Sequence, residues 1–283
     1  MIDLHTHSTH SDGSLSPQEL VQNAFNSGLK YLALTDHDCI SGLPEAQQEA
    51  QRVKIGFIAG VEIEIKAPQG EFHLLGLNLL TGFDILEEKL KELREKRDRR
   101  NQLICEKMQT QGIVVSPNEL AQYASGQVIS RLHIAQFLVQ HKLASSIAEA
   151  FELFLKPGRP FYCEKEALEF GEAVKLIKSC QGKAILAHPY SLKLEFQELI
   201  SYILSLKAKG LDGIEAYHSD YPFKACQRLD AWARENQLLV TAGSDFHGSN
   251  WPHRQLGFAC AGWPIPDHFA HELLEDSCSS FGF

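Results

Sequence analysis

The 283-residue chain contains no stretch approaching the roughly 18–20 uncharged apolar residues of a membrane span, so no membrane partner is expected. Its seven cysteines (39, 105, 163, 180, 226, 260 and 278) are odd in number, scattered, and never spaced C-x-x-C. That excludes a disulfide framework and a zinc ribbon, and it suits a reducing cytosol. Cys39, close to a candidate ligand, is the one to watch; the others read as small buried apolar residues. Positive charge is the scarcer sign, with 27 Lys and Arg against 36 Asp and Glu and a net charge of −9. Bulk electrostatic coating of long duplex DNA is thereby excluded. A G-x-x-x-x-G-K-[ST] loop, a G-x-S-x-G elbow and a dinucleotide glycine fingerprint are all missing, which leaves NTPase, serine hydrolase and dehydrogenase readings without support. The opening "MIDLH" shows no basic stretch followed by an apolar run, so a cytoplasmic location is expected.

What is present falls into three stretches. Residues 1–83 alternate short apolar strands with helical patterns. "SPQELVQNAFNSG" has Ser16 as N-cap, Pro17 at the first helical position, Gly28 as a stop, and Leu20, Val21, Ala24 and Phe25 on one face. The same rhythm returns over 165–283, with strands "KAILAHPY", "DGIEAYH" and "LLVTAGSDFHG". Such alternation indicates parallel βα units in a barrel or open sheet. Between them, 84–164 reads as a helical insertion. Its first helix carries Leu86, Leu90, Leu93, Arg97, Arg100 and Ile104 on one stripe, with Glu92–Lys96 and Glu95–Arg99 at i,i+4 spacing. The charge run "RDRR" reads first as a solvated face, and alternatively as a guide for an anionic substrate.

The strand ends hold the chemistry. His5 and His7 in "DLHTHSTHSDG" are two apart, so in an extended strand both imidazoles face the same way. Burying them side by side is unfavourable unless something engages their lone pairs. "LTDHD", "AGVEI", "EFHLLG", "LAHP" and "GSDFHG" each place His, Asp or Glu where an apolar run ends. The C-terminal ends of parallel strands share one mouth. Nine groups therefore converge: His5, His7, Asp12, His37, Glu62, His73, His188, Asp245 and His247. One such histidine is usually a satisfied core residue; nine at strand ends are not. Nitrogen and oxygen donors without a thiolate, in this number, suit two or three divalent ions.

These segments resemble the PHP (polymerase and histidinol phosphatase) family of metal-dependent phosphoesterases, over both βα stretches. The resemblance implies an α/β fold, a distorted (β/α)7 barrel with a mostly helical inserted subdomain. It also implies three metals: one on His5, His7, Glu62 and Asp245, a second on Glu62, His73 and His188, and a third on Asp12, His37 and His247. Manganese is the expected ion, with iron or zinc as alternatives, since such donors accept all three. Asp12 is implicated in catalysis through its ion. "ISRLHIA", "KPGRPFY" and "IEAYHSDY" resemble a subgroup acting on nucleotides and short RNA ends, including a nucleoside 3′,5′-bisphosphate phosphatase and a 5′→3′ exoribonuclease. The expected partner is thus a small phosphorylated nucleotide or a short RNA 5′ end.

Ester hydrolysis at phosphorus then proceeds by a metal-activated hydroxide. The ions outweigh Asp12, Glu62 and Asp245 in charge, which reconciles an acidic protein with an acidic substrate. Arg131 and Arg159 are candidates to bind a second phosphate bidentately. Ser130 is a phosphate contact or an N-cap. His133 is placed to reach the same phosphate, and His218 is a candidate acid for the leaving oxygen or a phosphate ligand. Tyr217 is a weaker candidate. Asp3 and Asp36 are candidates to orient ligand imidazoles. Two other readings compete: an amidohydrolase-like C–N hydrolase, which would favour a metal-bridging lysine that the strand ends lack, and a non-catalytic metal-binding module, which the complete ligand set argues against.

Overall fold

The computed structural model describes residues 1–67, 70–123, 129–164 and 166–279, with side chains up to 275. Residue 165, residue 283 and the Cys278 side chain lie outside the described residues. Seven strands form one sheet in chain order: β1 (Ile2–Asp3), β2 (Tyr31–Leu34), β3 (Gly56–Glu64), β4 (His73–Leu77), β5 (Lys183–Leu186), β6 (Gly213–Tyr217) and β7 (Leu239–Ala242). Beyond β1 and β7 the chain continues to pair, through a parallel bridge between Thr6 and Phe246 and a bond from the His7 N–H to the Phe246 carbonyl at 2.9 Å. This contact closes the sheet into a distorted (β/α)7 barrel. All neighbours run parallel except β4, which is antiparallel to both β3 and β5. His73 is therefore the first residue of its strand, not the last. The reversed direction still puts it at the same mouth as the C-terminal ends of the others.

Helices α1 (Pro17–Asn26) and α2 (Leu43–Val53) cover the first strands, and α1 begins as its sequence predicts. The Ser16 hydroxyl accepts the Glu19 N–H while the Glu19 carboxylate accepts the Ser16 N–H, a capping box. Gly28 follows with φ +77°, a conformation that costs glycine little. Leu20, Val21 and Ala24 are buried as expected, but Phe25 is 47% exposed and lies off the packed stripe.

Helix α3 (Phe83–Thr110) is 28 residues long and serves two cores. Leu86, Leu90 and Leu93 join the barrel core; Ile104, Cys105 and Met108 join a second, smaller one with Ile134, Phe137, Leu138 and Phe161. The smaller core also takes residues from α4 (Pro117–Leu120), α5 (Arg131–Gln140) and α6 (Ile147–Ala150). Helices α7 (Phe170–Ser179), α8 (Phe196–Lys207), α9 (Phe223–Glu235) and α10 (His268–Ser279) complete the outer layer. The charge run on α3 keeps part of the expected solvated face, with Asp98 and Arg99 exposed. Glu92 pairs with Lys89, and Lys96 with Glu166, while Arg100 is buried and Arg97 bonds Asp38. The six cysteines described are all free and buried. Among the described residues no helix is long and apolar enough to cross a membrane.

Candidate metal centre

At the barrel mouth the extended segment after β1 brings His5 and His7 against the segment after β7, which carries Asp245 and His247. The two imidazoles are 5.2 Å apart, and His7 stacks on His247 at 4.1 Å. Nε2 of His5 lies 3.3 Å from Glu62 Oε2 and 3.4 Å from Asp245 Oδ1. Nε2 of His7 lies 3.3 and 3.1 Å from the same two oxygens. All four atoms are buried, yet none is aligned for a hydrogen bond. Asp12 Oδ1 is a fifth such atom, 3.2 Å from His247 Nε2 and 3.9 Å from His37 Nε2. Each orphaned buried polar atom costs about 1–3 kcal/mol. Five of them aimed into one small volume fit cations held between them, and the imidazole and carboxylate donors suit divalent ions.

Glu62, on β3, is the hub. Its two oxygens also lie 2.9 Å from His37 Nδ1, 2.9 Å from His73 Nδ1 and 3.0 Å from His188 Nε2. Three groups have donor atoms mutually within 4.8 Å: His5, His7, Glu62 and Asp245; His7, Asp12, His37 and His247; and His37, Glu62 and His73. The first is the expected set. His7 also faces the third expected set, and His37 rather than His188 completes the group around His73. His188 joins through Glu62 and lies 3.3 Å from His73. All nine expected ligands are thus brought together.

The electrostatics are those of a densely charged, buried site. Burial opposes charge on His5, but Glu215, Asp245 and Glu62 outweigh it and hold the imidazole well above its ordinary pKa. His7 is likewise pushed up to about 10 against its burial, by Asp245 and Glu62. Burial would raise Asp12, Glu62 and Asp245, yet their neighbours hold all three well below the carboxylate range: His247 and His37 beside Asp12, His37 and His73 beside Glu62, Arg254 and His5 beside Asp245. His188 is lowered by burial. Ions placed here would compete with these protons.

Around this floor opens a pocket of about 250 Å³, with Arg97, Arg100, Ser130 and Arg131 on the insertion side and Tyr221, Trp251 and Arg254 on the barrel side. Burial, with repulsion from Arg97 and Arg131, lowers Arg100 to about 9. His218 lines the pocket, its Nε2 3.2 Å from Asp245 Oδ2 and its Nδ1 accepting the Asp220 N–H at 3.1 Å. Ser130 caps α5 by accepting the Leu132 N–H, its N-cap reading, and also lines the pocket. His133 is buried behind it, its Nδ1 accepting the Ser130 N–H. Arg159 is exposed on the insertion and is not among the pocket-lining residues. The Tyr217 hydroxyl turns away to donate to Asp230 at 2.8 Å.

Asp3 and Asp36 touch no ligand imidazole. Asp3 accepts the Ser244 and Gly257 N–H groups, tying β1 to the segment after β7, and burial pushes its carboxyl up to about 6. The Asp36 carboxylate accepts from Ser8 and from Ser11, whose hydroxyl lies 3.4 Å from His7 Nδ1, and its backbone carbonyl accepts the Glu62 N–H at 3.2 Å. The carboxylate that does contact an imidazole was not foreseen: Glu215 on β6, 3.0 Å from His5 Nδ1. A charged residue inside the apolar run "GIEAY" was the available signal. Arg254, which pairs with Asp245 and Asp220, was also unforeseen, because nothing local marks it.

A model of the PHP domain matches residues 3–157. The 5′-3′ exoribonuclease of Haemophilus influenzae is 36% identical over 245 residues, 87% of this chain and 89% of that protein. The 3′,5′-nucleoside bisphosphate phosphatase of Chromobacterium violaceum is 32% identical over 257 residues, 90% of each. A solved structure from Chromobacterium violaceum, described as an amidohydrolase with bound sulfate and no metal, matches with a TM-score of 0.84 at 30% identity, covering 96% of both chains. With its sequence, its barrel and its ligand cluster in agreement, this chain belongs to the PHP domain family.

Proposed function

We propose that this chain is a metal-dependent phosphoesterase of nucleotides. It either removes a phosphate from a nucleoside 3′,5′-bisphosphate or releases nucleotides from the 5′ end of short RNA. The observation that carries the reading is the set of five buried, partnerless ligand atoms at the floor of a pocket whose facing wall holds Arg97, Arg100 and Arg131. The names of the Haemophilus and Chromobacterium relatives support both substrate types. We take manganese as the working ion, with iron or zinc as alternatives, and the cytoplasm as the compartment, which the free cysteines suit.

Divalent cations bound among the nine ligands would supply an acidified water and neutralise the phosphoryl oxygens. The chain's own residues do the rest. Nδ1 of His218 is occupied as an acceptor, so its proton sits on Nε2 and faces the pocket floor, placed to reach a leaving oxygen. Asp12 fixes one edge of the ligand cluster. Arg100 Nε is a buried donor without a partner, and with Arg131 it forms a cationic wall for a second phosphate. Ser130 presents its hydroxyl beside them, and His133 holds the Ser130 backbone in place. Arg159 stands outside this wall, so only a substrate longer than the pocket would meet it.

The C–N hydrolase alternative would favour a bridging lysine, and among the described residues no lysine lines the pocket. A side-by-side assay tests the proposal: a nucleoside 3′,5′-bisphosphate and a 5′-phosphorylated RNA oligomer, each with manganese added. Release of inorganic phosphate from the first, or a ladder shortened by single nucleotides from the second, supports it and separates the two activities. Inertness toward both under every metal tried overturns it.

A further inference from the structure

Glu215 is fully buried on β6 and makes two bonds to two different ligand residues. Its Oε1 accepts from His5 Nδ1 at 3.0 Å, and its Oε2 accepts the His188 backbone N–H at 2.9 Å. His5 belongs to the donor group with His7 and Asp245, whereas His188 lies against Glu62 and His73. A carboxylate only accepts, so His5 carries a proton on Nδ1, which leaves Nε2, facing Glu62 and Asp245, as the nitrogen a cation would take in place of a proton. On the other side, the His188 backbone has φ +28°, a region that non-glycine residues seldom occupy. The bond to Oε2 is one of the contacts that hold it there. Space for this arrangement is made by Gly243, where a Cβ would come within 2.3 Å of the His5 Cβ and 2.6 Å of Glu215 Oε1.

We propose that Glu215 is a positioning residue that links two metal subsites through one carboxylate, setting the tautomer of His5 and the backbone of His188 together. The inference rests on the metal-binding reading above and goes beyond it. Glutamine at this position has nearly the same shape but one acceptor and one donor. It cannot accept from both His5 Nδ1 and the His188 N–H, so at least one ligand loses its alignment. Loss of a hydrogen bond of this kind weakens metal binding by about 10- to 100-fold.

The test is titration of metal-stripped wild type and E215Q with manganese, by calorimetry and by metal content after dialysis, with thermal melts of both metal-free proteins. The expected result is a metal-free melting temperature within a few degrees of wild type, with at least a tenfold loss of affinity spread over more than one equivalent. If E215Q binds the same number of ions with wild-type affinity, the inference is overturned and the metal reading stands. Wild type that binds no ion overturns both. Should E215Q fail to fold, long-range ¹H–¹⁵N imidazole spectra of zinc-loaded wild type decide the matter. A proton on His5 Nδ1 supports the inference, and a bare Nδ1 overturns it.

Discussion

At the residue scale, the ligand groups divide by how they announce themselves. His5, His7, His37, His188, Asp245 and His247 were legible because histidines and carboxylates at the ends of apolar runs have few structural uses. Glu62 was legible for the same reason, although it sits inside β3 rather than beyond it. Arg97 and Arg100 were legible only as one alternative for the "RDRR" run, and Arg254 not at all, since arginines on helices and loops usually face water and only tertiary packing turns these inward; Glu215 was passed over inside an apolar strand. Asp12→Ala and His188→Ala are each expected to reduce turnover to background while the far-UV circular dichroism stays that of wild type. Activity of either variant at more than a few per cent of wild type would remove that residue from the ligand set. Arg131→Ala is expected to raise KM for a nucleoside 3′,5′-bisphosphate at least tenfold, and to leave hydrolysis of a simple aryl phosphate within about twofold. A charge-assisted bond is worth roughly 1.5–3 kcal/mol. Equal losses on both substrates would show that Arg131 does not hold a second phosphate.

At the scale of single elements, α1 could be drawn from its caps alone, and the strands from their short apolar runs. The direction of β4 could not. Its five residues "HLLGL" carry no mark of orientation, and reversal leaves their burial nearly unchanged because both faces are covered. The stripe on α3 was legible as a stripe, but not as one that passes from one core to another. Ser16 offers a measurement at this scale. The bonds of the capping box are solvent-exposed, so Ser16→Ala should lower unfolding stability by about 1 kcal/mol, read from urea denaturation. Activity is expected to be retained. A change below a few tenths of a kcal/mol would mean that α1 is held by its buried face and not by its cap.

At the scale of the whole molecule, the mouth of the barrel gathers several carboxylates and many imidazoles that packing alone does not satisfy. Cations binding the folded state only would stabilise it by about 2.7 kcal/mol per site at a hundredfold excess over Kd. For a chain of this size that is about 4–5 °C in Tm per site. Chelation is therefore expected to lower Tm by at least this much, and manganese to restore it. A melting curve indifferent to both would contradict the metal centre. Net charge spoke only against coating of long duplex DNA, and the pocket wall is cationic: composition averages over a surface, and the site is a small part of it.

Helix α3 spans about 42 Å at 1.5 Å per residue. Arg97 and Arg100 lie between Leu93, its last apolar residue in the barrel core, and Ile104, its first in the smaller core. The cationic wall proposed to hold a second phosphate is thus mounted on a strut anchored at both ends, whereas the candidate metal ligands belong to the barrel alone. Sequence drift that reshapes the appended bundle can retune which molecules are held without disturbing how their bonds are cut.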